Sequence, residues 1–358
     1  MNVERADQDD GAQATPADEP SGASQQRDHI VSLRGLKLFV REWGEGFPLL
    51  LINGLGANLE MWGPAQERLS QVARTIAFDA PGMGRSRTSP VVLPHPALAA
   101  MICRLLDALD VDQCDVVGYS FGGTVAQQLA RQAPDRVRRI ALVGTSCGWG
   151  SVPATARATA LISTPLRYYS RQVLEQTNHL LDSGSSDRES ETWRSQAEAR
   201  LQYPPTLTGY TQQLIAGATW SSLHWVSTLR SPTLVFAGGQ DRIVPPANGA
   251  LLSHLMSESR LHVLPREGHL MLFDPHSRSH ELLADFFSTP ALEDSEAWVS
   301  GDVVDEDQLR ETLRASDGLQ PIKVLSAIYR GWVGLPAVRR LADDLRLVRR
   351  YPGRRFPF

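Results

Sequence analysis

The sequence predicts an α/β fold: a mostly parallel, doubly wound sheet with an inserted helical cap. Three observations carry that prediction. The stretches "FPLLLINGLGAN", "ARTIAFDAPGMGRS", "CDVVGYSFGG", "VRRIALVGTS" and "SPTLVFAGGQD" are short runs, apolar on both faces, that end in turn residues. Runs of that kind mark strands covered by helices on either side. They alternate with helical patterns at about 95–109, 122–133, 246–256 and 275–288. The alternation breaks once, between "LVGTS" and "SPTLVF", where roughly 80 residues hold helical patterns and few strand signals.

Taken in order, residues 1–27 are acidic, small and dotted with Pro and Gly, the composition of a disordered tail. The segment "HIVSLRGLKLFVREWG" gives two alternating runs about Gly35, a hairpin signal. The sheet domain is expected over 28–150 and again over 230–290, with the helical cap at 151–229 between them. Residues 291–358 form an extension, first an acidic linker, then a basic amphipathic segment from Pro321 onward.

The totals exclude several classes. The chain has 358 residues, 42% hydrophobic and 21% charged, the balance of a soluble globular protein. A net charge of -4 gives no general attraction to nucleic acid or an anionic membrane. No window approaches a transmembrane span, and the N-terminus lacks the apolar core of a secretory signal, so a cytoplasmic location is expected. Cys103, Cys114 and Cys147 are too few and too irregular for a disulfide framework or a zinc site, and read as small buried apolar residues. No cofactor and no metal are expected. "NGLGAN" lacks the third glycine of a dinucleotide loop, and no G-x-x-x-x-G-K-[ST] occurs.

The chemistry is concentrated at three places. Gly118-x-Ser120-x-Gly122 sits between a buried strand and a helix, the setting of a nucleophile elbow. Glycines flank the corner because side chains there meet neighbouring backbone. The alternative is a turn serine or a helix N-cap. A serine hydroxyl needs a base, and the base an orienting acid. "TLVFAGGQDRIVP" supplies Asp241 after a late strand, and "LHVLPREGHLMLFD" supplies His269 after the last one. Both follow the carboxyl ends of strands, where open α/β sheets build their sites. His29, His224, His254 and His262 fall on strands, a helix or the cap and fit the role less well. For the oxyanion, the expected backbone donors are Phe121 N–H and Leu55 N–H, the latter from "NGLGANLEMW". Asp79, before a Pro-Gly turn, reads as a structural acid that holds the turn. Trp62, Trp149, Trp220 and Trp225 serve either an acyl pocket beneath the cap or ordinary core packing.

With these residues in place, the chain resembles the α/β-hydrolases. Within them, "LLLINGLGANLEMW", "IAFDAPGMGRS", "GYSFGGTVAQQLARQAPDRVRRIALVGTSCGWGSVP", "GATWSSLHWVSTLRSPTLVFAGGQDRIVP" and "LPREGHLML" resemble the intracellular medium-chain-length poly(3-hydroxyalkanoate) depolymerases, over about residues 30–288. The resemblance implies a serine esterase acting on storage-polyester granules, with the triad carried onto Ser120, Asp241 and His269. It also implies a polyester substrate and a granule surface as partner, where the residues alone allow a small acyl ester. One departure bears on the pocket: that family's pattern has Trp after the nucleophile, where this chain has Phe121. The residues alone reach an ester-type hydrolase with a cap. A general carboxylesterase, a carbon–carbon bond hydrolase, a haloperoxidase-like enzyme and a non-catalytic granule or ligand binder remain open at this point. The basic segment "IKVLSAIYRGWVGLPAVRRLADDLRLVRR" is either a granule-seeking surface helix or a helix packed on the domain or on a partner chain. No feature specifies the oligomeric state.

Overall fold

The computed structural model describes residues 26–181 and 191–316. The expectations for the N-terminal tail (all but its last two residues) and for the basic C-terminal segment lie outside the described residues.

Among the described residues, eight strands form one sheet: β1 Arg27–Leu33, β2 Leu36–Trp43, β3 Pro48–Ile52, β4 Arg74–Phe78, β5 Cys114–Tyr119, β6 Val137–Val143, β7 Thr233–Gly238 and β8 Ser259–Leu264. Their spatial order is β1-β2-β4-β3-β5-β6-β7-β8. The β1–β2 hairpin is antiparallel, and β2 also pairs antiparallel with β4. Every pairing from β4 to β8 is parallel. The hairpin turns at Arg34-Gly35, where Gly35 has φ of 90°, as its composition signalled.

The apolar runs explain themselves in the packing. Leu49 and Leu51 of β3 enter one core, with Val117, Tyr119, Ala141, Val143, Leu234 and Phe236 from its neighbours. Leu50 and Ile52 enter the other, with Val116, Ile140, Leu142, Val235 and Ala237. Period-2 alternation therefore buries every position, because both faces are covered. Each such Leu or Ile contributes about 1.5–3 kcal/mol by leaving water.

The covering helices are α1 Gly63–Leu69, α2 His95–Ala108 and α3 Phe121–Gln132 on the first half of the chain. Four more, α4 Ala156–Ile162, α5 Arg171–Leu181, α6 Glu191–Gln202 and α7 Leu207–Ala218, lie between β6 and β7. They form the helical insertion, and Thr155 and Thr206 cap α4 and α7 through their hydroxyls. Then come α8 Ala247–Leu255, α9 Ser279–Ser288, α10 Glu296–Val299 and α11 Glu306–Ala315.

The stretch expected as an acidic linker is folded where it is described. Trp298 is buried and stacks on Phe286, with ring centroids 6.0 Å apart. Leu261 and Asp302 exchange two backbone hydrogen bonds of 2.9 Å, which occupy the free edge of β8. A capping box of Asp305 and Gln308 starts α11, which buries Leu309. Glu293, Asp294, Glu296, Glu306 and Asp307 stay exposed. The acidic composition thus belongs to the wet face of docked helices.

Candidate active site

Ser120 stands at the corner between β5 and α3 with φ of 52° and ψ of -119°. That region is strained for a residue with a Cβ, at a cost of about 1–3 kcal/mol. The surroundings enforce it. Ser120 N–H donates to Val143 O at 2.9 Å, and Thr145 Oγ1 donates to Ser120 O at 2.7 Å. A Cβ on Gly122 would lie 2.0 Å from Ile52 O, and one on Gly118 would lie 2.7 Å from Gly123 Cα. Only glycine lets α3 approach the sheet this closely. The Ser120 side chain caps nothing in α3.

It faces His269 instead. His269 Nε2 is 3.1 Å from Ser120 Oγ, and His269 Nδ1 is 2.7 Å from Asp241 Oδ2. The other Asp241 oxygen accepts Ile243 N–H and Val244 N–H, each at 2.8 Å. Asp241 and His269 are both buried. The His269 carbonyl accepts Tyr119 Oη at 3.1 Å, and the two rings lie 5.1 Å apart. Three side chains far apart in sequence therefore form one hydrogen-bonded chain.

The other histidines weighed for that position are engaged elsewhere. His262 Nε2 is 2.7 Å from Ala297 O, and His254 Nδ1 is 3.1 Å from Val304 O. His29 is 3.7 Å from Glu42, and His224 meets Trp225 edge-on.

The loop after β3 lies over the serine: a Cβ on Gly54 would be 3.3 Å from Ser120 Cβ. Phe121 N–H is a first-turn amide that α3 itself leaves unpaired. Neither it nor Leu55 N–H has an acceptor among the described residues. A small cavity opens beside Phe121. Gly54 and Phe121 line it together with Ile52, Phe78, Met101 and Val125, and Gln213 enters from α7.

The four tryptophans do not line this cavity. Trp62 is in the core against Phe273, with ring centroids 5.7 Å apart, and Trp149 is 76% exposed. Trp220 packs edge-on against Trp225 and stacks on His95 at 4.5 Å. The His95 ring in turn lies 5.1 Å from Phe121. Sequence reading did not single out His95. It is fully buried, its Nε2 is 2.7 Å from Thr124 Oγ1, and burial pushes its pKa down to about 4. It is therefore a neutral aromatic support behind Phe121.

Asp79 holds its turn. Its oxygens accept Leu59 N–H at 2.7 Å and Arg85 N–H at 2.8 Å. Burial pushes its pKa up to about 6, against the pull of those two amides and of Arg85. Among the described residues, no three His, Cys, Asp or Glu side chains gather as a metal site. No helix among them is long and apolar enough to cross a membrane.

Residues 48–275 match the family model of the alpha/beta hydrolase fold. The chain belongs to the α/β hydrolases. This α/β hydrolase is 36% identical over 225 residues to a poly(3-hydroxyalkanoate) depolymerase of Ectopseudomonas oleovorans, covering 63% of the chain and 78% of the relative. It is 32% identical to a 2-hydroxymuconate semialdehyde hydrolase of Pseudomonas putida, covering 74% of the chain and 97% of the relative. Among solved structures it resembles a meta-cleavage product hydrolase, CumD from Pseudomonas fluorescens IP01. There the TM-score is 0.63 and the identity 26%, covering 72% of this chain and 97% of that one.

Proposed function

We propose that this α/β hydrolase is a serine esterase that cleaves the ester bonds of poly(3-hydroxyalkanoate) storage polyester. The observation that carries the reading is the hydrogen-bonded chain from Ser120 Oγ through His269 to Asp241, on a strained elbow beside an apolar cavity. The 36% identity to a poly(3-hydroxyalkanoate) depolymerase supplies the substrate class.

In this mechanism Ser120 Oγ attacks the ester carbonyl and His269 Nε2 takes its proton. Asp241 accepts His269 Nδ1–H, which fixes the tautomer and stabilises the imidazolium. Leu55 N–H and Phe121 N–H hold the tetrahedral oxyanion, each worth about 3 kcal/mol of barrier. His269 then returns the proton to the departing alkoxide, releasing a chain that ends in a hydroxyl. Water, deprotonated by His269, attacks the acyl-enzyme and frees the acid, and the proton goes back to Ser120. No step requires a cofactor. In this reading the alkyl branch of a 3-hydroxyacyl unit runs toward the apolar side chains of Ile52, Phe78, Met101, Phe121 and Val125. The enzyme works in the cytoplasm at the granule surface.

A second reading, hydrolysis of a carbon–carbon bond, draws on the likeness to 2-hydroxymuconate semialdehyde hydrolase and to CumD. It uses the same three side chains. Native medium-chain and short-chain polyester granules, soluble nitrophenyl esters and 2-hydroxymuconate semialdehyde, each incubated with the purified full chain, separate the two. The polyester reading requires 3-hydroxy acids or their oligomers to appear from granules. Turnover of the semialdehyde with none on granules would replace it.

A further inference from the structure

One peptide of the loop over Ser120 is held at both ends from the cap. Tyr168 Oη, just before α5, donates to Leu55 O at 2.7 Å. Gln213 Oε1, on α7, accepts Gly56 N–H at 2.8 Å. The carbonyl and the amide belong to the same Leu55–Gly56 unit, so its plane has little freedom to rotate. Gly56 has φ of 73°, and a Cβ there would lie 2.5 Å from the Tyr210 ring and 2.7 Å from the Tyr168 ring. The loop thus lies directly against both rings. They are braced in turn: the buried Arg167 stacks on Tyr168 at 4.7 Å and donates to Tyr210 Oη at 2.9 Å. Tyr210 Oη donates to Ile162 O at 2.6 Å.

We infer that Tyr168 and Gln213 are positioning residues that clamp the Leu55–Gly56 peptide from the cap and so aim Leu55 N–H at the developing oxyanion. The inference rests on the esterase reading above, in which Leu55 is a donor. Its physical basis is that an oxyanion donor works only when preorganised, and a freely rocking loop forfeits that benefit. Leu55 N–H is one residue away from the clamped plane, so the clamp acts through the backbone rather than on the substrate. Both grips come from the helical insertion, so the donor is in place only while the cap is seated on the loop.

The Gln213 amide has a defined orientation. Gly56 N–H needs an acceptor, which puts Oε1 on the loop side and Nε2 on the other. Gln213 lines the cavity, and Nε2 has no acceptor among the described residues. A glutamate at 213 keeps the acceptor and loses the donor, which separates the two ends of the side chain.

The test uses full-length Tyr168→Phe, Gln213→Leu and Gln213→Glu, with Ser120→Ala as the control. Active sites are counted by exhaustive fluorophosphonate labelling, and kcat per labelled site is measured on soluble esters. Affinity for a trifluoromethyl ketone, whose adduct carries an oxyanion, is measured alongside. Tyr168→Phe and Gln213→Leu should lose about tenfold or more in kcat per site, with KM within about twofold. Ketone affinity should fall by the same factor as kcat/KM, and Gln213→Glu should restore most of both. Unchanged kcat per site and ketone affinity, beside an inactive Ser120→Ala, would overturn the clamp and leave the esterase reading standing. A change in thermal stability with full turnover per site would overturn it equally. Turnover by Ser120→Ala would bring down the esterase reading, and the clamp with it.

Discussion

Asp241 meets His269 with one carboxylate oxygen and two backbone amides of the residues that follow it with the other. Oδ2 lies 2.7 Å from His269 Nδ1, while Oδ1 accepts the amides of Ile243 and Val244 at 2.8 Å each. The two amides fix which oxygen faces the imidazole. In Asp241→Asn they retain the carbonyl oxygen, so the NH2 group turns toward His269. Nδ1 must then accept, the proton moves to Nε2, and the ring can no longer take one from Ser120. Activity on soluble esters should fall by about 10⁴-fold, while the urea midpoint stays near that of the parent protein. A variant with a normal rate would show that Asp241 does not set the tautomer.

The Ser120 backbone stores strain, with φ of 52°. Ser120→Gly should therefore be the more stable protein, by about 1 kcal/mol once the extra chain entropy of glycine is set against the relieved strain. It should have no measurable turnover. Gly122→Ala should show the reverse of that stabilisation, since its Cβ meets Ile52 O at 2.0 Å. A loss of about 3 kcal/mol is expected. Chemical denaturation of the two variants side by side measures both.

Phe121 is wedged between His95, 5.1 Å away, and α7, where a Cβ on Gly217 would lie 3.6 Å from its ring. It lines the cavity on one side and leaves little room on the other. Phe121→Ala should favour longer acyl chains and Phe121→Trp shorter ones. Each methylene in an apolar pocket is worth about 1–3 kcal/mol of discrimination. The ratio of kcat/KM for long over short nitrophenyl esters should accordingly move by about tenfold or more in opposite directions. Equal ratios in all three proteins would place the acyl chain elsewhere.

These residues also mark where sequence reading reached and where it stopped. Strands β3 to β7 were legible because burial on both faces leaves a short, nearly uninterrupted apolar run. That Ser120, Asp241 and His269 come together was legible because each follows a strand and the three arrive in a set order. Tyr168 and Gln213 left no such mark: they meet the Leu55–Gly56 peptide from 113 and 157 residues away, and no local pattern records that contact. The tryptophans stayed ambiguous because a large ring in or near a cap reads alike as pocket or as core. At 291–316 the exposed acids outnumbered the anchors Trp298 and Leu309, so composition pointed to a linker where the chain is docked.

Asp79 should make stability depend on pH with a defined sign. Burial raises its pKa from 3.8 to about 6, so the folded state holds the proton more tightly than the unfolded one. Its contribution is most favourable below about pH 4 and is lost as pH rises toward and through about 6, on the order of 1–3 kcal/mol in total. Asp79→Asn cannot titrate. The gap in unfolding free energy between parent and variant should therefore shift against the parent between pH 4 and 7. A gap that is flat over that range would show that Asp79 titrates at the same pH in both states.

The measurement that bears most directly on the esterase reading compares the full chain with Ser120→Ala on native medium-chain polyester granules, with released 3-hydroxy acids quantified by mass spectrometry. Release by the parent protein is expected, with a fall of at least about 10³-fold in the variant, which should still fold. Equal release from both proteins would contradict the role given to Ser120.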